Sequence, residues 1–334
     1  MTDARQNLVR WGVVGSSGIA GAFMGDLPFT ERMTVTAICS RTKAGAATFA
    51  ARYGTPQQFT DLGEMLHSGA IDALYIATPH SMHAAAAAQA LRAGIAVLVE
   101  KPAAITVAQW QQLTLLAQQH NTFLMEALWT DFLPGTERVR QLVAGGAIGQ
   151  LRSLHVSFGF NAPDDPNGRL LNLALAGGAL LDIGIYGLYH AWRWMGEPER
   201  WESRAELATT GVDVHDQLTL HYADGRCAYL HFALDRELPH EATLHGDKGW
   251  LRLSTLCDAR QVSHGGGHNP SEIIYQRTEP GGGFVHEMQH ATDCILAGQI
   301  ESPQWRWVDT LRLQTWMAQL RREWGVKFPI EAES

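Results

Sequence analysis

The chain has 334 residues, 46% hydrophobic and 18% charged, with a formal net charge of −8. This composition excludes a disordered chain and supplies cores for about two domains of roughly 100–200 residues each. The acidic balance, with no run of Lys or Arg, also excludes a nucleic-acid binder held by phosphate contacts.

The N-terminal Met1-Thr-Asp-Ala-Arg-Gln-Asn is polar and lacks the apolar core of a signal peptide. Residues 84–99 are apolar but are broken by Gln89 and Arg92, so no membrane span is expected. Cys39, Cys227, Cys257 and Cys294 form no Cys-x-x-Cys pair and read as reduced thiols of a cytoplasmic protein.

The first third alternates strands with helices. Residues 9–14, 33–39, 73–77 and 96–99 are short apolar runs that predict buried strands. Helices are predicted over 19–27, 43–53 and 81–93, the last two closed by Gly54 and Gly94. This alternation implies parallel strands with crossover helices, in a sheet covered on both faces. From about residue 151 the period changes. Leu154, Val156, Phe158 and Phe160 alternate with His155, Ser157 and Gly159, and residues 218–222 and 227–233 flank the turn Ala223-Asp-Gly225. Further strands are expected at 240–245, 250–253 and 273–276, loops at the glycine triplets 265–267 and 281–283, and a helix over 308–324. The fold expected is α/β: a Rossmann domain over 1–125 and, over 126–334, an α/β domain with an open, mostly antiparallel sheet. The open face offers a surface for a homodimer or higher homo-oligomer.

Chemistry-bearing residues cluster where strands end. Gly12-Val-Val-Gly15-Ser-Ser17-Gly18-Ile19-Ala20 joins the first strand to the first helix, where glycine permits a tight turn and the helix N-terminus faces a diphosphate. Ser17 stands where the dinucleotide fingerprint has its second glycine. The second strand ends in Ser40-Arg41, with no carboxylate to accept from a ribose hydroxyl; hydroxyl and cation suit a 2′-phosphate. Hence NADP(H) is the expected cofactor, with NAD(H) as the alternative. Ala77-Thr78-Pro79-His80-Ser-Met-His83 and Glu100-Lys101-Pro102 follow two further strands. A lysine held there can hydrogen-bond a substrate hydroxyl and ease its deprotonation. In Gly177-Gly-Ala-Leu-Leu-Asp182-Ile-Gly-Ile-Tyr186, the acid and the phenol share a helical face at i, i+4, a pairing able to orient a polyol and move a proton.

His286-Glu-Met-Gln-His290 matches the His-Glu-x-x-His pattern of zinc hydrolases, but the chain has 15 histidines and no third ligand stands out. No metal site is expected there, nor at His264-Gly-Gly-Gly-His268, which reads as a loop.

Taken together, these residues resemble the glucose-fructose oxidoreductase/inositol dehydrogenase/rhizopine catabolism (Gfo/Idh/MocA) family, in order and spacing along nearly the whole chain. Phe123-Leu-Met-Glu-Ala-Leu-Trp129-Thr, with Phe132 and Pro134, resembles the branch of dimeric dihydrodiol dehydrogenases and NADP-dependent xylose dehydrogenases. The resemblance implies an NAD(P)-dependent dehydrogenase or reductase acting on the CH–OH group of a sugar, cyclitol or dihydrodiol. It implies that Lys101 contacts the reacting oxygen, that Tyr186 is the acid/base, that Asp182 orients substrate and that Trp129 lines the pocket beside the nicotinamide. Asp131 stands where this branch is expected to carry a basic residue. A cofactor-sensing regulator that has lost catalysis is the other reading, and a zinc hydrolase using His286 and His290 a remote one.

Overall fold

The computed structural model describes residues 7–266 and 269–332. The chain divides into two compact units, Met1–Trp129 with Pro280–Gln314, and Thr130–Glu279 with Thr315–Ser334.

In the first unit, β1 (Val9–Val14), β2 (Met33–Cys39), β3 (Gln57–Phe59), β4 (Ala73–Ile76), β5 (Ala96–Glu100) and β6 (Leu124–Ala127) form one parallel sheet in the order β3-β2-β1-β4-β5-β6. β4, β5 and β6 are buried at every residue, which their near-continuous apolar sequences require. The crossovers are α1 (Gly18–Asp26), α2 (Lys43–Tyr53), α3 (Leu62–His67), α4 (His80–Arg92) and α5 (Val107–Gln119). Short polar side chains set the starts of three of them: Thr42 caps α2, Asp61 caps α3, and Thr106 closes a capping box with Gln109 at α5. Strand order reverses between β1 and β4, the place where doubly wound sheets bind ligands at the strands' carboxyl ends.

The second unit begins with α6 (Pro134–Ala144). Its sheet comprises β7 (Leu151–Asn161), β8 (Arg200–Leu207), β9 (Asp213–His221), β10 (Cys227–Ala233), β11 (Asp235–Gly246), β12 (Trp250–Ser254), β13 (Gln261–Gly266) and β14 (Asn269–Gln276). Their order is β14-β13-β12-β11-β7-β10-β9-β8, antiparallel except for the β7–β10 pair. One face buries Leu218, Leu220, Leu230, Phe232, Leu244 and Leu251, together with the apolar side of α7 (Ile185–Met195). The other carries an open depression lined by His155, Gln217, Tyr229, His231 and Glu241 among others. Residues 173–195 are long and apolar enough to cross a bilayer by length and composition, but 83% of their 18-residue apolar stretch is buried inside the protein. The helix is core material.

Two sequence expectations need correction. His264, Gly265 and Gly266 belong to β13 rather than to a loop, since they pair with β12 and β14, and glycine at 265 leaves room for Trp250 across the ladder, 2.4 Å from where a Cβ would sit; Gly267 and His268 lie outside the described residues. A contiguous two-domain division also missed the return of 280–314 to the first unit, with α8 (Val285–Leu296) and the first turns of α9 (Trp307–Trp324). Polar anchors hold it there. Leu124 N donates to Ile300 O at 3.0 Å, and Trp307 Nε1 to Leu124 O at 2.8 Å. The Asp26 carboxylate accepts from Gly282 N at 2.5 Å and Val285 N at 3.2 Å.

Candidate active site

The carboxyl edge of the parallel sheet gathers most of the residues singled out above. Gly15 has φ +99°, and a Cβ there would lie 2.5 Å from Ala77 O, so only glycine lets β1 turn this close to β4. Ser17, in the place of a glycine, uses its hydroxyl twice. It caps α1 at Ala20 N and donates to Ala77 O at 3.1 Å, tying the turn to β4. Residues 16–19 are exposed while Ala20 is buried, and a Cβ at Gly18 would meet nothing within 4 Å. The turn therefore presents open space and free helix N–H groups. Ser16 and Ser40 share a hydroxyl contact at 3.1 Å beside it, and Arg41 is exposed just beyond. Thr78 Oγ1 is buried with no hydrogen-bond partner, an orphaned polar atom at the same edge. These features fit a dinucleotide: a cradle for phosphates, hydroxyls and a cation at the ribose position, and no carboxylate there.

Pro79 precedes α4 and His80 begins it, half-buried. His83, fully buried, places Nδ1 2.8 Å from Pro102 O and Nε2 2.8 Å from Thr78 O. Burial pushes its pKa down, against the two carbonyl contacts, which favour the protonated ring, and the ring lies between the loops after β4 and β5. The Glu100 carboxylate also faces inward. It accepts from Tyr75 Oη at 2.5 Å and from Lys101 N at 3.2 Å, and burial raises its pKa. Glu100, Pro102 and His83 thus form the frame around half-buried Lys101. Sequence reading missed Glu126, buried beneath them. It accepts from Ala103 N at 2.9 Å, Thr310 Oγ1 at 2.8 Å and Trp305 Nε1 at 3.2 Å, and burial raises its pKa. Trp129 is half-exposed and stacks on Phe284, with centroids 4.6 Å apart and planes 4° from parallel.

In the second unit, Asp182 and Tyr186 are both 7% exposed. The regular i, i+4 helix expected for them is interrupted: residues Leu180–Gly184 form a π turn before α7 begins. Phe232 packs against this segment where Cβ atoms at Gly184 and Gly187 would lie, at 3.2 and 2.2 Å, so glycine at both positions leaves room for the ring. π turns are frequent at functional sites. Asp182 Oδ1 accepts from Arg169 Nη1 at 2.7 Å, a partner the sequence did not suggest. Asp131 is fully buried, accepting from Tyr189 Oη at 2.9 Å and paired with Arg193 at 2.6 Å and Arg140 at 3.3 Å. It serves an internal ion network.

His290 Nε2 contacts Ser302 Oγ at 2.8 Å, and Glu287 is fully buried, its pKa raised by burial and by the Glu100 and Asp26 charges. Among the described residues, no metal-capable cluster includes them.

A doubly wound sheet with this turn and a lysine at its edge, followed by a domain carrying an acid and a phenol on one helical segment, defines an NAD(P)-dependent oxidoreductase of CH–OH groups. Residues 9–128 match the oxidoreductase family with an NAD-binding Rossmann fold, and residues 136–252 match the GFO/IDH/MocA C-terminal domain. The chain belongs to the Gfo/Idh/MocA family. It is 31% identical over 331 residues to the trans-1,2-dihydrobenzene-1,2-diol dehydrogenase of Xenopus tropicalis, covering 96% of this chain and 99% of that one. Among solved structures it is similar to the aldose-aldose oxidoreductase of Caulobacter crescentus complexed with glycerol (TM-score 0.85, 25% identity, 95% and 98% of the two chains). It is also similar to KijD10, a 3-ketoreductase from Actinomadura kijaniata in complex with NADP and TDP-benzene (TM-score 0.84, 26% identity, 95% and 98%).

Proposed function

We propose that the protein transfers hydride reversibly between NADP(H) and a ring-borne CH–OH group of a sugar, cyclitol or dihydrodiol. The observation that carries this reading is the collection of the glycine turn, Ser40-Arg41, Lys101 and stacked Trp129 on one sheet edge. The names of the similar proteins, a dihydrodiol dehydrogenase and an aldose oxidoreductase, support the substrate class.

When bound, the nicotinamide accepts or supplies the hydride. The 15–20 turn holds the diphosphate, Ser40 and Arg41 the 2′-phosphate, and Thr78, Pro79 and His80 flank it. Trp129 shapes the pocket wall with Phe284 behind it. The Lys101 ammonium hydrogen-bonds the reacting oxygen, and its charge favours the anion that forms when the hydroxyl proton leaves. Tyr186 takes that proton on its phenolic oxygen and returns it in reduction. Asp182, held by Arg169, orients neighbouring hydroxyls.

A screen of aldoses, cyclitols, dihydrodiols and dicarbonyls, read by absorbance of the reduced nicotinamide, tests the substrate class. Lys101→Ala and Tyr186→Phe should each lower turnover at least tenfold with NADPH binding largely kept. Wild-type turnover in both variants would refute the roles. Dinucleotide binding with no turnover on any substrate would favour the regulatory reading instead. Two lesser proposals accompany this one: self-association through the open sheet face, and residence in the cytoplasm, where the four free thiols persist.

A further inference from the structure

The open face of the second sheet carries a cluster that hydride transfer does not use. Glu206 on β8 pairs across the ladder with His215 on β9, which pairs in turn with Ala233 on β10. Asp235 follows two residues later, at the start of β11. One ligand atom each from Glu206, His215 and Asp235 lies within 4.8 Å of the other two. His215 is 7% exposed, and its Nδ1 is buried without a hydrogen-bond partner. That atom sits 3.6 Å from Glu206 Oε1. The gap is too long for a hydrogen bond. It is close to the edge, about 3.4 Å, of a tetrahedron whose metal–ligand bonds are about 2.0–2.2 Å.

The far side of the ring explains why Nδ1 is free. His215 Nε2 lies 2.7 Å from His231 Nε2. With His215 Nε2 as the donor in that contact, the neutral ring keeps a lone pair on Nδ1, the atom nearest Glu206. Metal-binding imidazoles show this arrangement, with the remote N–H held by a neighbouring acceptor that fixes the tautomer. Arg236 bonds Asp235 through Nε at 3.0 Å and Nη2 at 2.7 Å, and Arg204 lies 3.6 Å from Glu206. Both arginines are solvent-accessible. Each carboxylate has about four lone-pair sites, so the arginines leave room for an ion.

We propose that Glu206, His215 and Asp235 bind a divalent first-row transition ion, Zn2+ above all, with His231 as the residue that orients His215. An imidazole with two carboxylates and a place for water suits zinc, whereas an all-oxygen shell would suit Mg2+ or Ca2+. The ion braces edge strand β8 against β9 and the start of β11, and stabilises the folded chain by mass action.

The test is Zn2+ titration of the tag-free, full-length protein with saturating NADP(H), in competition with a chromogenic chelator and with thermal melting in parallel. One Zn2+ per chain is expected, with a Tm that rises with free Zn2+. Glu206→Gln, a change at an exposed position, and His215→Ala should each weaken binding at least tenfold and abolish the Tm rise. Cys227 Sγ and His221 Nδ1, 3.6 Å apart on the same sheet, supply the control: Cys227→Ser/His221→Ala should bind as the wild type does. The proposal is overturned if the wild type holds no stoichiometric Zn2+, if Glu206→Gln binds unchanged, or if only the Cys227→Ser/His221→Ala variant loses the ion.

Discussion

The carboxylate of Asp213 accepts the main-chain N–H of Leu180 at 2.6 Å, and so anchors the first turn of the segment that carries Asp182 and Tyr186. Gly178 allows this approach. Its φ is +119°, and a Cβ there would stand 2.4 Å from Asp213 Oδ1. Asp213 is fully buried beside Asp216, whose pKa is driven well above the carboxylate range by burial and by the Asp213 charge. Asp213 thus frames the helix start, and both acids are of a residue type that composition alone would place on the surface.

Asp213→Ala leaves a buried N–H without an acceptor and should cost about 1–3 kcal/mol of stability. Because the lost bond sets where the next turn begins, kcat should fall at least tenfold while NADPH affinity, a property of the first unit, stays unchanged. Asp213→Asn keeps an acceptor oxygen and should recover most of the turnover. Equal kcat in the wild type and the alanine variant would show that Asp213 only stabilises.

Two glycines in the first turn should fail differently. Gly15→Ala forces a side chain into Ala77 O at a left-handed φ, so it should lower the melting temperature and dinucleotide binding together. Gly18→Ala projects into open space in the free protein and should leave the melting temperature within a degree or so of wild type. The same methyl would meet a diphosphate docked on the α1 N-terminus, so NADPH affinity should drop at least fivefold. Unchanged affinity, measured by nicotinamide fluorescence, would mean that the diphosphate docks elsewhere.

Arg41 separates the two cofactors. Its exposed guanidinium follows Ser40 at the end of β2, where a 2′-phosphate would be recognised by paired N–H donors. Arg41→Ala should weaken NADP(H) at least fivefold more than NAD(H). A parallel loss of both would assign the arginine to stacking on adenine.

What the sequence made legible follows its periodicity and punctuation. The sequence places the strands over 9–14 and 33–39 and the helix over 43–53 at their observed bounds, because glycines and a capping threonine mark edges and the runs are mostly apolar. β8 was missed because it is an edge strand with no inward apolar stripe, its residues alternating between half-buried and exposed. The glycine turn, Ser40-Arg41 and Lys101 stand out as candidates because each follows a recognisable strand, and Trp129 because its segment resembles the family. Asp213, Glu126 and Arg169 do not. Their partners Leu180, Thr310 and Asp182 come from separate segments of the chain, and only folding brings them together. The π turn has no signature of its own in the sequence, and the packing of Phe232 against Gly184 and Gly187 joins segments far apart in the chain.

A buried histidine gives the pH dependence its sign. His190 on α7 directs Nε2 to Leu256 O at 3.0 Å, and its Nδ1 accepts from Trp194 Nε1 at 3.0 Å. Both contacts are satisfied by the neutral ring with its proton on Nε2. A second proton would face the indole N–H. Burial accordingly pushes the His190 pKa down to about 4, from an ordinary value of 6.5. The unfolded chain therefore takes up this proton first. The histidine's contribution is complete above pH 6.5 and is progressively lost as pH falls toward 4, by about 3 kcal/mol in all. Buried Glu126 and Glu287, whose pKa values are raised, act in the opposite sense, so the whole-protein curve mixes the two. Comparison with His190→Gln, which keeps a donor and an acceptor but never charges, isolates the term. Denaturant titrations at pH 7, 5.5 and 4.5 should show the wild type's advantage over the variant shrinking stepwise with acidity. A gap that stays constant across the three would mean that His190 charges as readily in the folded protein as in the unfolded chain.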